Sequence, residues 1–483
     1  MNRSVARTRQ LVFILIVLSL VSNACISARR TPNLEHIFAS ARSRSGKRPV
    51  IVIPGILGSE LMNPRTGEIV WPSAFRTSQE GLPISPDLAA NHDDLVPGKI
   101  IETVRLAKLL PEVYVYRDLL EALRRYAGYR DGDWENPPAD GYQDTFYVFS
   151  YDWRHDNVSN ARELVRRIVR LKTRLQRPDL KFNIVAHSMG GLIARYAAMY
   201  GDADLPAGDG PIQPTWSGAA QISKIVMIGV PNEGSADAFA TLIDGYSITE
   251  GLRRRVPLLN KLTAEDVVKT PSVFQLMPHQ RAVKFLDENL QPLPLDLYDP
   301  DVWKKYGWSV IYSSPEFRRH YTETIATNAG DGASPDMLDA YLAATLKRAR
   351  RFQEALDAAE NSSSPVVLLA IGGDCEETLN AALILRDEKR NRWLTVTRPQ
   401  EFRTSNGTKI SKQRVIDAMY APGDGRVTRA SLLGETIFKT RDTQTGFTLS
   451  HYAVFGCDLH GQLPRNKSLQ DNALTAIVGE VIQ

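Results

Sequence analysis

The stretch that most constrains the fold is KFNIVAHSMGGLIARYAAMYG at residues 181–201. Its first part, FNIVA, is typical of a buried strand, and the residues after Ser188 are typical of a helix. Ala186 and Gly190, two positions before and after Ser188, are small enough for the sharp turn that must join the two. A serine at such a turn stands at the end of a sheet beside a helix N-terminus, which is the setting of an activated nucleophile.

Strand-like and helix-like segments alternate on both sides of this turn. Apolar strand patterns occur at 49–54, 145–154, 182–186, 224–230 and 365–371, and helical spacing of leucines occurs at 115–126, at 160–175 and in the C-terminal segment. This alternation predicts a mostly parallel sheet flanked by helices, the α/β-hydrolase type of fold. Residues 231–364 interrupt it with amphipathic and aromatic stretches, so we expect a helical cap or lid inserted between core segments 49–230 and 365–483.

The N-terminus has the order of a secretory signal. Three arginines within residues 1–24 precede an apolar run, from about residue 11 to 21, that is too short for a comfortable membrane span. We expect export after removal of residues 1–24, followed by a basic tether at 25–48. Cys25 leaves two outcomes open, a lipoprotein held in the cell envelope or a freely secreted protein. The formal charge of +4 falls to +1 without the three arginines, which predicts no nucleic-acid partner.

A serine nucleophile needs a base and an orienting acid, which on this fold follow it along the chain in the order acid, histidine. His460 lies in a predicted loop before the C-terminal helix and is the favoured base, with His451 as the rival. Asp424 lies in a glycine-flanked turn, and Asp374 directly follows a predicted strand. Spacing alone does not separate the two acids.

Seven short motifs occur along the chain, and their order can be compared with that of a known family. They are VIPGILGSEL at 52–61, YDWR at 151–154, AHSMGG at 186–191, GVPNEGS at 229–235, QLMP at 275–278, GDGRV at 423–427 and His460. In this order the chain resembles the lecithin:cholesterol acyltransferase family, which includes lysosomal phospholipase and phospholipid:diacylglycerol acyltransferase relatives. The resemblance implies Ser188 as nucleophile, Asp424 as acid and His460 as base. It also implies the backbone N–H groups of Ile56 and Met189 as the oxyanion hole.

The expected activity is that of a serine acyl hydrolase or O-acyltransferase on phospholipid or acylglycerol esters at a membrane or lipid surface. No cofactor or obligatory protein partner is expected. No metal is expected either, since no His-Glu-x-x-His spacing occurs. A carboxylesterase for small esters and a catalytically silent lipid-binding envelope protein remain alternatives. The sequence leaves open the acyl acceptor and the pairing of Cys375 with Cys457.

Overall fold

A computed structural model describes residues 31–72, 81–104, 113–247, 261–279, 282, 284–329, 336–358, 364–439 and 447–479. The predicted signal peptide and Cys25 lie outside these segments. Within them, every helix is too short or too polar to cross a bilayer.

A seven-stranded parallel sheet forms the centre of the molecule. Its strands are β1 Val50–Ile53, β2 Arg130–Asp131, β3 Thr145–Val148, β4 Phe182–His187, β5 Ile222–Ile228, β6 Val367–Gly372 and β7 His451–Val454. They lie side by side in the order β7-β6-β5-β4-β1-β3-β2, and every neighbouring pair is parallel. All residues of β1 and β4 are buried, as expected of strands covered on both faces. The predicted parallel sheet is therefore confirmed.

Helices cover both faces of the sheet. The longer ones are α1 Arg117–Arg125, α2 Asn157–Arg174, α3 Met189–Tyr200, α4 Ala236–Asp244, α5 Pro315–Ala329, α6 Asp336–Asp357, α7 Lys412–Met419 and α8 Lys467–Val478. Because successive strand residues point to opposite faces, Val50 and Val52 of β1 pack with α1 and α8, whereas Ile51 and Ile53 pack with α2 and α3. The architecture is the α/β-hydrolase fold that the sequence predicts.

Residues 231–364, which the sequence assigns to a cap, contain α4, α5, α6 and short helices at Ala264–Val267, Pro271–Phe274, Pro300–Tyr306 and Val310–Ser313. They also contribute Phe285–Leu286 and Pro292–Leu293 to a four-stranded sheet with Ala382–Asp387 and Arg392–Val396. The last two strands come from the segment that the sequence assigns to the core. The chain thus returns to the cap after β6, a long-range pairing that no local pattern reports.

Smaller elements complete the described chain. Ser59–Met62, Ile69–Trp71 and Val96–Ile100 form an antiparallel sheet, and Glu376–Leu379 pairs with Tyr420–Gly423. Two-residue strands pair as Thr103–Val104 with Val113–Tyr114, Tyr246–Ser247 with Lys261–Leu262, Phe402–Arg403 with Lys409–Ile410, and Phe438–Lys439 with Phe447–Thr448. The remaining helical turns are Leu34–Ile37, Ala39–Ser43, Leu88–Ala90, Ser217–Ala220, Arg429–Leu433 and His460–Arg465.

Candidate active site

Ser188 sits at the turn between β4 and α3. Its backbone has φ 54° and ψ −129°, a conformation that non-glycine residues rarely adopt. The Ser188 N–H donates to the carbonyl of Ile228 at 2.9 Å, which ties the turn to the neighbouring strand. Holding such a residue costs on the order of 1–3 kcal/mol, and strain of this kind concentrates at functional sites. The turn is the sharp elbow that the sequence predicts.

Two glycines allow the loop after β1 to pack against this elbow. A Cβ atom on Gly55 would lie 2.8 Å from the Cβ of Ser188, and a Cβ atom on Gly190 would lie 2.5 Å from the carbonyl oxygen of Pro54. Both distances are shorter than real Cβ contacts, so any side chain there would push the loop and the serine apart. Small residues at these positions bring the loop backbone against the serine.

His460 bridges the serine and a carboxylate. It opens the short helix His460–Arg465 after β7, and its side chain is buried. The Ser188 hydroxyl donates to His460 Nε2 at 2.8 Å, and His460 Nδ1 donates to Asp424 Oδ2 at 2.8 Å. The His460 N–H also donates to the Asp424 carbonyl at 2.8 Å. The structure therefore brings together Ser188, Asp424 and His460, which are far apart in sequence.

Asp424 follows the strand Tyr420–Gly423 and presents one oxygen to the histidine. Its Oδ1 accepts the N–H groups of Arg426 and Val427 at 3.1 and 2.8 Å, so the carboxylate is held with Oδ2 towards His460. Asp374, the alternative acid, lies half-buried two residues beyond β6. The histidine is oriented by Asp424.

His451, the alternative base, lies exposed in edge strand β7. The other two histidines that follow the serine are also elsewhere: His279 pairs with Asp357 at 3.0 Å, and His320 lies in α5 on the cap. The histidine that reaches Ser188 is His460.

Two tyrosines hold the loop after β1. The Tyr151 hydroxyl donates to the Pro54 carbonyl at 2.9 Å, and the Gly55 N–H donates to the Tyr116 hydroxyl oxygen at 2.8 Å. Both tyrosines are buried, which raises the pKa of each phenol above its ordinary value. The loop backbone is thus held by neutral hydroxyl groups.

The two amides that the sequence assigns to an oxyanion hole lie in this same region. Ile56 follows Gly55 in the loop, and Met189 is the first residue of α3, directly after the serine. In the segments that the structure describes, no backbone carbonyl accepts either N–H. Backbone amides near the nucleophile are the kind of donor that a developing oxyanion needs.

His187 connects these parts, and the sequence analysis assigned it no role. Its Nδ1 accepts the Tyr116 hydroxyl at 2.8 Å, and its Nε2 donates to the carbonyl of His460 at 3.1 Å. Burial, with the neighbouring His460 ring, holds the pKa of His187 well below the ordinary 6.5. His187 is therefore neutral at physiological pH. Its position before the candidate nucleophile was the available sequence signal.

A disulfide joins Cys375 to Cys457, with their Cα atoms 5.1 Å apart. Cys375 lies just beyond β6, and Cys457 lies three residues before His460. The bond therefore ties the loop that carries the histidine to the end of the neighbouring strand. Across the described segments, no three His, Cys, Asp or Glu side chains are grouped as a metal would require.

Residues 135–347 match the sequence model of the lecithin:cholesterol acyltransferase family. The resemblance to this family is confirmed over that segment. It contains Ser188, while Asp424 and His460 lie beyond it. The match supports a lipid-ester hydrolase or acyltransferase as the class of enzyme. No curated protein sequence matches the chain.

Several solved structures have similar chains. The Tle4-Tli4 complex contains a chain 15% identical to this one, with a TM-score of 0.49 over 89% of this chain and 98% of that chain. The mature lipase BlEst2 of Bacillus licheniformis is 11% identical, with a TM-score of 0.32 over 90% and 93% of the two chains. EstA of Clostridium botulinum is 14% identical, with a TM-score of 0.32 over 92% and 91%. Nothing about activity follows from likeness at this level.

Proposed function

We propose that this chain is a serine acyl hydrolase or O-acyltransferase that acts on phospholipid or acylglycerol esters through an acyl-enzyme intermediate. The observation that carries the proposal is the imidazole of His460, which lies 2.8 Å from both Ser188 Oγ and Asp424 Oδ2. A neutral serine is a weak nucleophile, and an adjacent base oriented by a carboxylate is the usual means of activating it.

Acylation begins with attack by Ser188 Oγ on the ester carbonyl carbon. As the new C–O bond forms, His460 Nε2 accepts the hydroxyl proton, and the Asp424 carboxylate stabilises the imidazolium. Collapse of the tetrahedral intermediate breaks the bond to the alcohol, which leaves with the proton from His460. The acyl group remains on Ser188.

The tetrahedral intermediate carries a negative oxygen, for which Ile56 and Met189 supply the N–H donors. Removing one donor of this kind typically costs on the order of 10²–10³ in kcat. Because both donors are backbone groups, their contribution depends on the position of the loop after β1 and on the first turn of α3.

Deacylation repeats these steps with a second nucleophile. Water yields a free fatty acid, whereas an alcohol bound in its place yields a new ester. Water is present at about 55 M, so transfer requires an acceptor that is bound and oriented, or a site from which water is excluded. The acceptor thus decides between a lipase and an acyltransferase.

We also propose that the protein is exported and works at a membrane or lipid surface. The charged, apolar and small-residue order of residues 1–24 supports export, as does the Cys375–Cys457 disulfide, because disulfides persist in oxidising compartments. Mass spectrometry of the mature N-terminus tests this proposal. A diacylated Cys25 indicates a lipoprotein, an unmodified Cys25 or nearby residue indicates secretion, and an intact residue 1 contradicts export.

The decisive experiment incubates purified mature protein with phosphatidylcholine vesicles, with and without a long-chain alcohol or sterol. It compares the wild type with Ser188→Ala and with Ser217→Ala, a control that removes an exposed hydroxyl on the surface. Fatty acid as the sole product of the wild type and Ser217→Ala, with none from Ser188→Ala, supports a lipase. A new ester from the same two proteins supports a transferase. A fluorophosphonate probe should label both of these proteins and not Ser188→Ala.

Other outcomes assign the alternatives. Turnover of short-chain nitrophenyl esters without turnover of vesicles would favour a small-ester carboxylesterase. Absence of turnover and of probe labelling in the wild type would favour a silent lipid-binding protein. Equal product from the wild type and Ser188→Ala would exclude Ser188 as the nucleophile.

A further inference from the structure

A chain of three hydrogen bonds runs beneath the candidate site. The Gly55 N–H donates to the Tyr116 hydroxyl oxygen at 2.8 Å, and the Tyr116 hydroxyl donates to His187 Nδ1 at 2.8 Å. His187 Nε2 then donates to the carbonyl oxygen of His460 at 3.1 Å. One end of the chain is the loop that carries Ile56, and the other end is the backbone of the candidate base.

The partners favour one direction for these bonds. The His460 carbonyl can only accept, so a neutral His187 carries its proton on Nε2 and leaves Nδ1 unprotonated. Nδ1 then accepts the Tyr116 proton, while the Tyr116 oxygen accepts the Gly55 N–H. Burial favours this neutral form, because a charged imidazole in this interior would lose its hydration.

The surroundings leave little freedom for these groups. Tyr116 is 2% exposed and His187 is 5% exposed, and the two rings meet edge to face with centroids 5.6 Å apart. His187 is covalently joined to Ser188, and its ring centroid lies 4.9 Å from that of His460. The loop, the nucleophile and the base are thus linked through one buried imidazole.

We propose that Tyr116 and His187 are positioning residues for acyl transfer, which hold the Ile56 amide and the His460 loop in register with Ser188. This inference rests on the proposed function. The hydrogen bonds of these two side chains join them to each other and to backbone groups, not to Ser188 Oγ or to the His460 ring. Small displacements of oriented groups cost large factors in rate, so we expect loss of the chain to lower kcat about tenfold. KM should change by less than about twofold, because the donors that move act on the transition state.

Tyr116→Phe tests the proposal with one hydroxyl removed and the ring retained. Its matched control is Tyr147→Phe, which removes another buried hydroxyl near the same sheet, one that donates to the Gly141 carbonyl at 2.9 Å. Both variants are assayed for kcat, KM and melting temperature on a nitrophenyl ester. We expect Tyr116→Phe to lose about tenfold in kcat while the control stays near the wild type, at similar melting temperatures.

Two substitutions of His187 separate the effects of its two hydrogen bonds, one to Tyr116 and one to the His460 carbonyl. His187→Asn places an amide oxygen near the position of Nδ1 and retains an acceptor for Tyr116, whereas His187→Gln places its amide near Nε2 and retains the donor to His460. If the hydrogen bond to Tyr116, which leads to the loop after β1, is the one that matters for rate, the Asn variant should keep more activity than the Gln variant. Fluorophosphonate labelling rates should follow the same order.

The outcomes separate this inference from the function on which it rests. If Ser188→Ala is inactive while Tyr116→Phe and Tyr147→Phe have equal kcat, the positioning role is wrong and the proposed function stands. If a lower melting temperature accounts for the whole loss of kcat in Tyr116→Phe, the hydroxyl has only a structural role and the inference also fails. If Ser188→Ala retains activity, both proposals fall.

Discussion

At the scale of single residues, the geometry of the site depends on which atoms already accept hydrogen bonds from the backbone. Asp424 Oδ1 accepts two backbone N–H groups, from Arg426 and Val427, and this leaves Oδ2 to meet His460 Nδ1. A carboxylate fixed in this way can orient an imidazole without losing further freedom when the imidazole becomes charged. Asp374, the alternative acid, is half-buried two residues beyond β6.

We therefore expect Asp424→Asn to lower kcat by about 10³–10⁴, because an amide favours the wrong tautomer of His460. Asp374→Asn is the matched control, since it changes the rival carboxylate in the same way, and it should stay within about threefold of the wild type. Steady-state kinetics on a nitrophenyl ester, together with melting temperatures, measure both. A larger loss for Asp374→Asn would assign the acid to Asp374.

Sequence reasoning identified Ser188 and His460 as candidates by motif and order, whereas Asp424 was preferred to Asp374 only by the family resemblance. Spacing could not choose between the two acids, because their positions depend on how residues 373–427 fold back, with Glu376–Leu379 pairing against Tyr420–Gly423. The hydrogen bond between Tyr116 and His187 could not be predicted from the sequence either. The two residues are 71 positions apart, and a single polar contact leaves no periodic trace in a sequence.

At the scale of elements, the segments with strong apolar patterns were predicted, and the short or half-exposed ones were missed. Strand β2 has only two residues, both exposed, and β7 begins with exposed His451 and Tyr452. Strand β2 is too short to show an alternation or an apolar run, and β7 offers only the short apolar run at 452–455. These strands form because β3 and β6 offer free edges, which is a property of the assembled sheet.

The loop after β5 carries a buried acid whose ionisation should oppose folding. Glu233 is 4% exposed, and burial raises its pKa above the ordinary 4.5, although hydrogen bonds from Thr436 partly offset the effect. The folded state therefore binds the proton more tightly than the unfolded state. The contribution of Glu233 to stability is fully present below pH 4.5, the ordinary pKa, and this contribution is lost as pH rises through the higher folded pKa.

Glu233→Gln removes this ionisation. Relative to the wild type, the variant should gain stability as pH rises from 4 to 8, by on the order of 1 kcal/mol. Urea unfolding at several pH values measures the difference, with the exposed Glu435→Gln as control. A constant difference between variant and wild type across this range would show that Glu233 has an unshifted pKa.

At the scale of the whole molecule, the parallel sheet explains how distant residues converge. Ile56 follows β1, Ser188 and Met189 follow β4, and His460 follows β7, so all four lie beyond carboxyl ends of strands, which meet at one edge of the sheet. Ligand sites of open α/β sheets lie at this edge. The prediction of a parallel sheet already implies such an edge, whereas the strand order, the cap sheet and the cysteine pairing require the folded chain.

The Cys375–Cys457 disulfide closes a sequence separation of 82 residues and joins the ends of β6 and β7. A cross-link over such a separation restricts the unfolded chain, so the double variant Cys375→Ser/Cys457→Ser should lose about 2–5 kcal/mol of unfolding free energy. Denaturant unfolding of the oxidised wild type and the variant measures the loss. A reductant should lower the wild type to the level of the variant and leave the variant unchanged. If the reductant does not alter the wild type, and Cys375 and Cys457 of the untreated folded wild type react with a thiol reagent, the pairing is wrong. A variant as stable as the oxidised wild type would instead show that native contacts between β6 and β7 already hold this edge.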